Sequence, residues 1–261
     1  MELTIDRSCA ALVDQTDRFA RTVAGVPADA PVPTCPAWSL TQLVEHIGQT
    51  HRFTTAIVGR RITGPEQLPT SYPELPAAQD AWAGWLRDGA EQLAAAFTDA
   101  GIDADVWNPS GDSRSGTRFW LHRAVAETVI HRADATATAG EPYELDADLA
   151  AAVVTDQLDM LTSPGWAAAV PQSAEALRGT GQTLRLVAEE GGEWRVERRP
   201  EGATWRPGSG ADADVTVSGP AATIMRVLTR RLPVGDAGDL RIDGERDLLV
   251  HWVDNTAHVA G

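Results

Sequence analysis

Apolar side chains recur at helical spacing through the first half of the chain and at alternating spacing through much of the second. Residues 4–24 set Leu12, Val13, Phe19 and Val23 on a helical period, which predicts a first helix. The stretch from Val26 to Trp38 holds four prolines and predicts a loop. Ser39, with Gln42 three residues on, has the form of a capping box and opens a second helix that runs to about Val58. A third helix is expected over roughly Ala77–Asp99. The polar, Gly/Ser/Pro-containing segment Asp103–Thr117 reads as a loop. A fourth helix runs from about Arg118 to Ala139 and ends at Gly140. These four helices predict an antiparallel four-helix bundle, with a domain spanning 1–145. A fifth, connecting helix follows at Asp146–Leu161.

Past residue 163 the period shifts from helix to strand. Thr183–Glu189 and Glu193–Arg198 alternate about a Gly191-Gly192 turn, the pattern of a hairpin. Asp214–Ser218 predicts another strand, Ala221–Leu232 a helix, Asp239–Ile242 a short strand and Glu245–Asn255 a last helix. The chain is therefore expected to be α+β with two domains, the second a small α+β unit over 146–261.

Composition narrows the chemistry. The 22 basic residues are all arginine, and no lysine occurs. Schiff-base nucleophiles, a pyridoxal-phosphate anchor and a phosphate-loop lysine are excluded. Arginine without lysine, with abundant alanine, fits a GC-rich genome such as an actinomycete's. A net charge of -15 argues against non-specific binding to nucleic acid and against an anionic membrane surface. No apolar run approaches a membrane span, and the first twenty residues lack a signal-peptide core. Only Cys9 and Cys35 are present, so no disulfide framework is expected and a reducing cytoplasm is the expected location. Both cysteines read as small core residues.

The fourth helix carries the informative stripe. Trp120, Ala124, Glu127, His131 and Asp134 fall on one face, at the spacing that core residues normally occupy. An ionised glutamate facing a bundle core is costly unless it is paired or bound to a metal. Glu127 and His131, one turn apart, form either a metal half-site or a hydrogen-bonded pair. A third ligand would come from the second helix, where both His46 and His51 lie near apolar positions. Periodicity does not choose between them. His122 sits on the opposite face from His131, and His251 and His258 fall in the second domain.

Two segments carry a family resemblance. Thr34–Phe53 (TCPAWSLTQLVEHIGQTHRF) resembles the Cys-Pro-x-Trp…Leu-Val-x-His segment of the mycothiol-dependent maleylpyruvate isomerase family. Phe119–Ala135 (FWLHRAVAETVIHRADA) resembles that family's Glu-x-x-x-His-Arg-x-Asp-Ala segment. Ala211–Pro220, Arg231–Pro233 and Leu240–Trp252 resemble its C-terminal domain, which is similar to sterol-carrier proteins. The N-terminal bundle of the family is DinB-like. The resemblance implies a divalent metal, typically zinc, on His46, Glu127 and His131. It places His51 in a packing or cavity-lining role and Asp134 in a supporting or salt-bridging one. Ala126 departs from the histidine that many members have there.

The resemblance also implies mycothiol as thiol cofactor or cosubstrate. A metal deprotonates a thiol whose pKa lies near ~8.5, and the thiolate attacks a small-molecule electrophile. Addition and elimination would give a cis-trans isomerase, and addition or displacement without return an S-transferase. Arg231 is the candidate clamp for a substrate carboxylate, and Trp38 and Trp120 are candidate pocket walls. The competing expectation is a non-catalytic ligand-binding or regulatory protein with a structural metal. The expected partners are small molecules, with the chain a monomer or homodimer.

Overall fold

The computed structural model describes residues 3–208 and 212–256. His258 and the first residue of the Ala211–Pro220 segment lie outside them. The described residues divide into two compact units. One holds 3–108 and 113–143, the other 109–112 and the chain from Glu144 onward.

The first unit is built on four helices: α1 (Ile5–Val23), α2 (Leu40–Gly59), α3 (Trp82–Ala100) and α4 (Gly116–Ala139). Their starts follow local chemistry. The Thr4 hydroxyl accepts the Arg7 amide at the head of α1. Ser39 and Gln42 make the full reciprocal capping box on α2. Gly140 closes α4 in the left-handed conformation that glycine adopts without strain. The third helix starts later than its pattern implies, because a single 3-10 turn occupies Gln79–Ala81.

Val26–Trp38 is not wholly loop. It holds a small antiparallel ribbon, β1 (Pro31–Val32) and β2 (Cys35–Ser39), with Val32 opposite Cys35. Its prolines and short strands hide the alternation that marks longer strands. The Leu40 amide bonds to Ala30 O at 2.9 Å, so the ribbon runs directly into α2.

Side-chain contacts set the helix directions. Arg87 reaches Asp17 and Cys9 reaches Ala94 O, so α1 and α3 are antiparallel. Along α2 and α3, Gly48 meets Trp85, His51 meets Gly89 and Gly59 meets Ala96, so these two run the same way. The connection 60–81 must therefore travel back along the bundle. α4 lies antiparallel to α2, with Phe53 against Trp120 near one end and His46 against His131 near the other. One buried cluster gathers Phe19, Leu43, Ile47, Trp85 and Ala135, and a second gathers Leu12, Ile57, Phe97, Phe119 and Leu121.

The second unit carries α5 (Ala147–Leu161), two short helices α6 (Pro164–Ala169) and α7 (Pro171–Ala176), and a five-stranded sheet. The strands are β3 (Thr183–Ala188), β4 (Glu193–Arg199), β5 (Gly202–Pro207), β6 (Val215–Gly219) and β7 (Arg241–Gly244), in the order β5-β4-β3-β6-β7. Among the described residues only β3 and β6 pair in parallel. Leu184, Leu186, Trp194, Val196, Val215 and Val217 are buried. Helices α8 (Ala221–Leu228) and α9 (Arg246–Asp254) complete the unit. α8 ends four residues earlier than its pattern implies, and Arg230 follows at φ 63. β5 escapes the alternation test because it is an edge strand with little burial, and α6 and α7 because each is one proline-led turn and a half. Among the described residues no helix is long and apolar enough to cross a membrane.

Gly48 is a packing requirement. A Cβ there would fall 1.8 Å from Cζ3 of the Trp85 ring, and that ring is held on its other contacts by the Arg52 guanidinium, 3.9 Å from the centroid. A Cβ at Gly84, on α3, meets nothing within 4 Å. Helix propensity alone favours alanine at both by about 1 kcal/mol. Overpacking costs about 1–3 kcal/mol. Denaturant unfolding should therefore show Gly84→Ala stabilised by about 0.5–1 kcal/mol and Gly48→Ala destabilised. Equal gains in both would show that the Trp85 seat is not close-packed.

Candidate metal centre

α4 is buried along most of its length, including Thr128, His131, Arg132, Asp134 and Thr136. Each polar group there needs a partner, since an orphaned one costs about 1–3 kcal/mol. The partners form a line on one face. Arg123 donates from Nε at 3.0 Å and from Nη2 at 2.7 Å, both to Oε1 of Glu127. Oε2 of Glu127 faces Nε2 of His131 at 3.2 Å. Nδ1 of His131 meets Oδ2 of Asp134 at 2.7 Å. From the facing helix α2, Nε2 of His46 comes within 3.4 Å of the same Oε2.

His46, Glu127 and His131 thus turn two imidazole nitrogens and one carboxylate oxygen on a common point, within 4.8 Å of one another. Asp134 is acceptor-only when ionised, so it keeps the proton on Nδ1 of His131 and turns Nε2 toward Glu127. Two bare nitrogens and an oxyanion at such distances repel unless a proton or a cation lies among them. Around a tetrahedral zinc, bonds of 2.0–2.1 Å place ligand atoms about 3.3–3.4 Å apart. The observed 3.2 and 3.4 Å fit that set.

The electrostatics agree with a charged cluster. Burial alone would raise the Glu127 carboxyl, but Arg123 and the bonds from His131 and His46 hold it well below its usual range. Burial disfavours the charged form of His131, yet Asp134 and Glu127 outweigh it and push the imidazole up. The centre is open on one side: the side chains of His46, Glu127 and His131 are 35%, 23% and 9% exposed.

The remaining candidates separate. The half-buried Trp38 ring lies 4.9 Å from the His46 ring and stacks 5.7 Å from that of His131, so it borders the cluster. Trp120 packs among Phe53, Trp107 and Phe119, and its Nε1 donates to Trp107 O. His51 is fully buried and lies outside the cluster. Its Nε2 meets the Thr128 hydroxyl at 2.9 Å, and that hydroxyl already donates to Ala124 O. His51 is therefore the donor, and its buried Nδ1 has no partner among the described residues. Arg231 belongs to the other unit, where it donates to Thr229 O. Ala126 is buried.

Arg123 and Thr34 were not singled out from sequence, and Cys35 was read only as a small core residue. Arg123 stands four residues before Glu127, a spacing that signals an i, i+4 ion pair. Thr34 and Cys35 reach Asp134 from 100 and 99 residues away, and no local pattern reports such a contact.

Fold and site together define an α+β protein with a DinB-like helical bundle that carries a partly exposed His–Glu–His cluster, followed by a sheet-bearing unit. Residues 9–136 match the family model described as the mycothiol maleylpyruvate isomerase N-terminal domain. It resembles the crystal structure of the mycothiol-dependent maleylpyruvate isomerase, with a TM-score of 0.55 and 16% identity over 93% of this chain and 95% of that one. A histidine-to-alanine mutant of that enzyme matches with the same TM-score, identity and coverage. At this identity the likeness is one of fold. Comparison with curated proteins gives no match.

His51 makes stability depend on pH. Burial, then the nearby Arg52 and His46, lower its pKa from 6.5 to about 3. Above pH 6.5 the imidazole is neutral in both folded and unfolded chains. As pH falls from there toward 3, the unfolded chain binds a proton that the folded one refuses, so stability is lost by up to about 1.4 kcal/mol per pH unit. In His51→Gln, the slope of unfolding free energy against pH between 6 and 4 should drop by about one proton. An unchanged slope would show that His51 is not held neutral.

Proposed function

We propose that this chain is a mycothiol-dependent metalloenzyme whose zinc ion sits on His46, Glu127 and His131, acting on a small electrophile as a maleylpyruvate-type cis-trans isomerase or a thiol S-transferase. The convergence of two Nε2 atoms on Oε2 of Glu127, at 3.2 and 3.4 Å, carries this reading. When bound, the cation would supply one chemical service, keeping the thiol of mycothiol as a thiolate at neutral pH.

The chain's own residues prepare that service. Arg123 occupies Oε1 of Glu127 and leaves Oε2 to face the two histidines. Asp134 holds the Nδ1 proton of His131 and so frees its Nε2 as a ligand. Trp38 stacks on the His131 ring and lies tilted against that of His46, so it borders both imidazoles on one side. The more exposed His46 marks the side from which thiol and electrophile approach. With no lysine in the chain, a borrowed thiol is the consistent source of the nucleophile. In this reading the bundle, residues 1–145, is the metal-binding domain, and 146–261 is the second domain. The partners are mycothiol and the electrophile, and the location is cytoplasmic.

Purified protein should carry about one zinc per chain, and His131→Ala should weaken zinc binding by more than the roughly 10–100-fold typical of losing an outer hydrogen-bond partner. Calorimetric titration should show mycothiol binding only to the zinc-loaded protein. Incubation with mycothiol and a panel of cis-enoyl acids and alkylating electrophiles then separates isomer from thioether. A metal-free protein, or mycothiol binding that survives unchanged in His131→Ala, would contradict the proposal and favour a non-catalytic binding protein.

A further inference from the structure

The Asp134 carboxylate is fully buried, at 0% exposure, and accepts from two separate elements. Its own helix supplies Nδ1 of His131 at 2.7 Å to Oδ2. The β1–β2 ribbon supplies the Thr34 hydroxyl, 2.6 Å from Oδ1, and the Cys35 thiol, 3.7 Å from Oδ2. Cys35, His131 and Asp134 also group as three ligand-type atoms within 4.8 Å. A 2.7 Å contact between Nδ1 and Oδ2 leaves no room for an ion between them, so this group is a hydrogen-bond network and not a second metal site.

An ionised carboxylate removed from water is stable only when donors replace its hydration. Here two of those donors come from the ribbon. The same ribbon carries Trp38 to the rings of His46 and His131. It therefore reaches the candidate centre twice, through Asp134 behind His131 and through Trp38 beside both imidazoles. Pro33 and Pro36 flank Thr34 and Cys35, and each proline ring fixes its own φ. The donors are thus presented by a stiff turn.

We propose that Thr34 and Cys35 are positioning residues: their hydroxyl and thiol hold the Asp134 carboxylate in the orientation that keeps the proton on Nδ1 of His131 and aims Nε2 at Glu127. The ligand role of His131 rests on the metal reading above, but the hydrogen-bond network does not. Thr34 outranks Cys35, because an O–H donor at 2.6 Å is stronger than a thiol at 3.7 Å.

The test uses the full chain with ¹⁵N-labelled histidine. In the metal-free wild type, NMR should show a slowly exchanging His131 Nδ1–H resonance. Thr34→Val keeps the shape and removes the hydroxyl, and it should broaden or lose that resonance. Thr34→Ser should restore it. Zinc affinity by chelator competition should fall about tenfold in Thr34→Val and stay within about twofold of wild type in Thr34→Ser. Cys35→Ala should show a smaller loss in the same direction, and it carries the test if Thr34→Val does not fold. A sharp Nδ1–H signal with unaltered zinc affinity in both Thr34→Val and Cys35→Ala would overturn the proposal. So would equal loss in Thr34→Val and Thr34→Ser. If the wild type binds no zinc while Thr34→Val still loses the Nδ1–H signal, the metal reading falls and the positioning network stands.

Discussion

Asp134 is an ionisable group with no exposed surface, in the most buried helix of the bundle, and the molecule is organised around satisfying it. Water cannot solvate it, so its oxygens must take protein donors. His131 takes one, and in doing so its ring is fixed and Nε2 is turned outward along the helix face. Glu127 stands one turn away to receive it, and Arg123 one turn further holds the other carboxylate oxygen. Arg123, Glu127, His131 and Asp134 thus form a run in which each group fixes the orientation of the next. Few alternative arrangements keep every member paired, so the line is rigid.

The topology delivers the rest. Because α2 lies antiparallel to α4, the first turns of α2 meet the last turns of α4, and His46 arrives opposite Glu127 and His131. Three features of the segment before α2 enforce that register: the Ser39–Gln42 capping box, the amide bond from Leu40 to Ala30, and the ribbon that reaches Asp134. The parallel run of α2 and α3, seated on Gly48 against Trp85, requires the long return of residues 60–81. Packing thus decides which histidine of α2 faces the cluster. His46 does, while His51, five residues on, turns inside and is held by Thr128.

Much of this was legible in the sequence because it is local. The capping box, the Gly140 stop and the period that puts Glu127, His131 and Asp134 on one face all depend on neighbours within one or two turns. Other features depend on contacts across about a hundred residues, and no spacing rule reports them. Thr34 and Cys35 on Asp134 are of this kind, as is the choice between His46 and His51, which periodicity left open and the resemblance alone decided. The ribbon within Val26–Trp38 and the edge strand β5 were hidden because prolines, glycines and shallow burial remove the alternation that strands usually show. Trp120 shares the stripe of Glu127 and His131 yet packs among other aromatics, since one helical face can serve a polar centre at one end and a core at the other.

We propose that two imidazoles and one carboxylate hold a zinc ion that receives a thiol. X-ray absorption at the zinc edge, on the purified protein before and after mycothiol is added, reads both the ligand set and the thiol. A zinc ion held this way should show a shell of nitrogen and oxygen atoms at about 2.0–2.1 Å in the protein alone, and one added sulfur at about 2.3 Å once mycothiol is present. A zinc environment already containing sulfur, or a spectrum that mycothiol leaves unchanged, would contradict it.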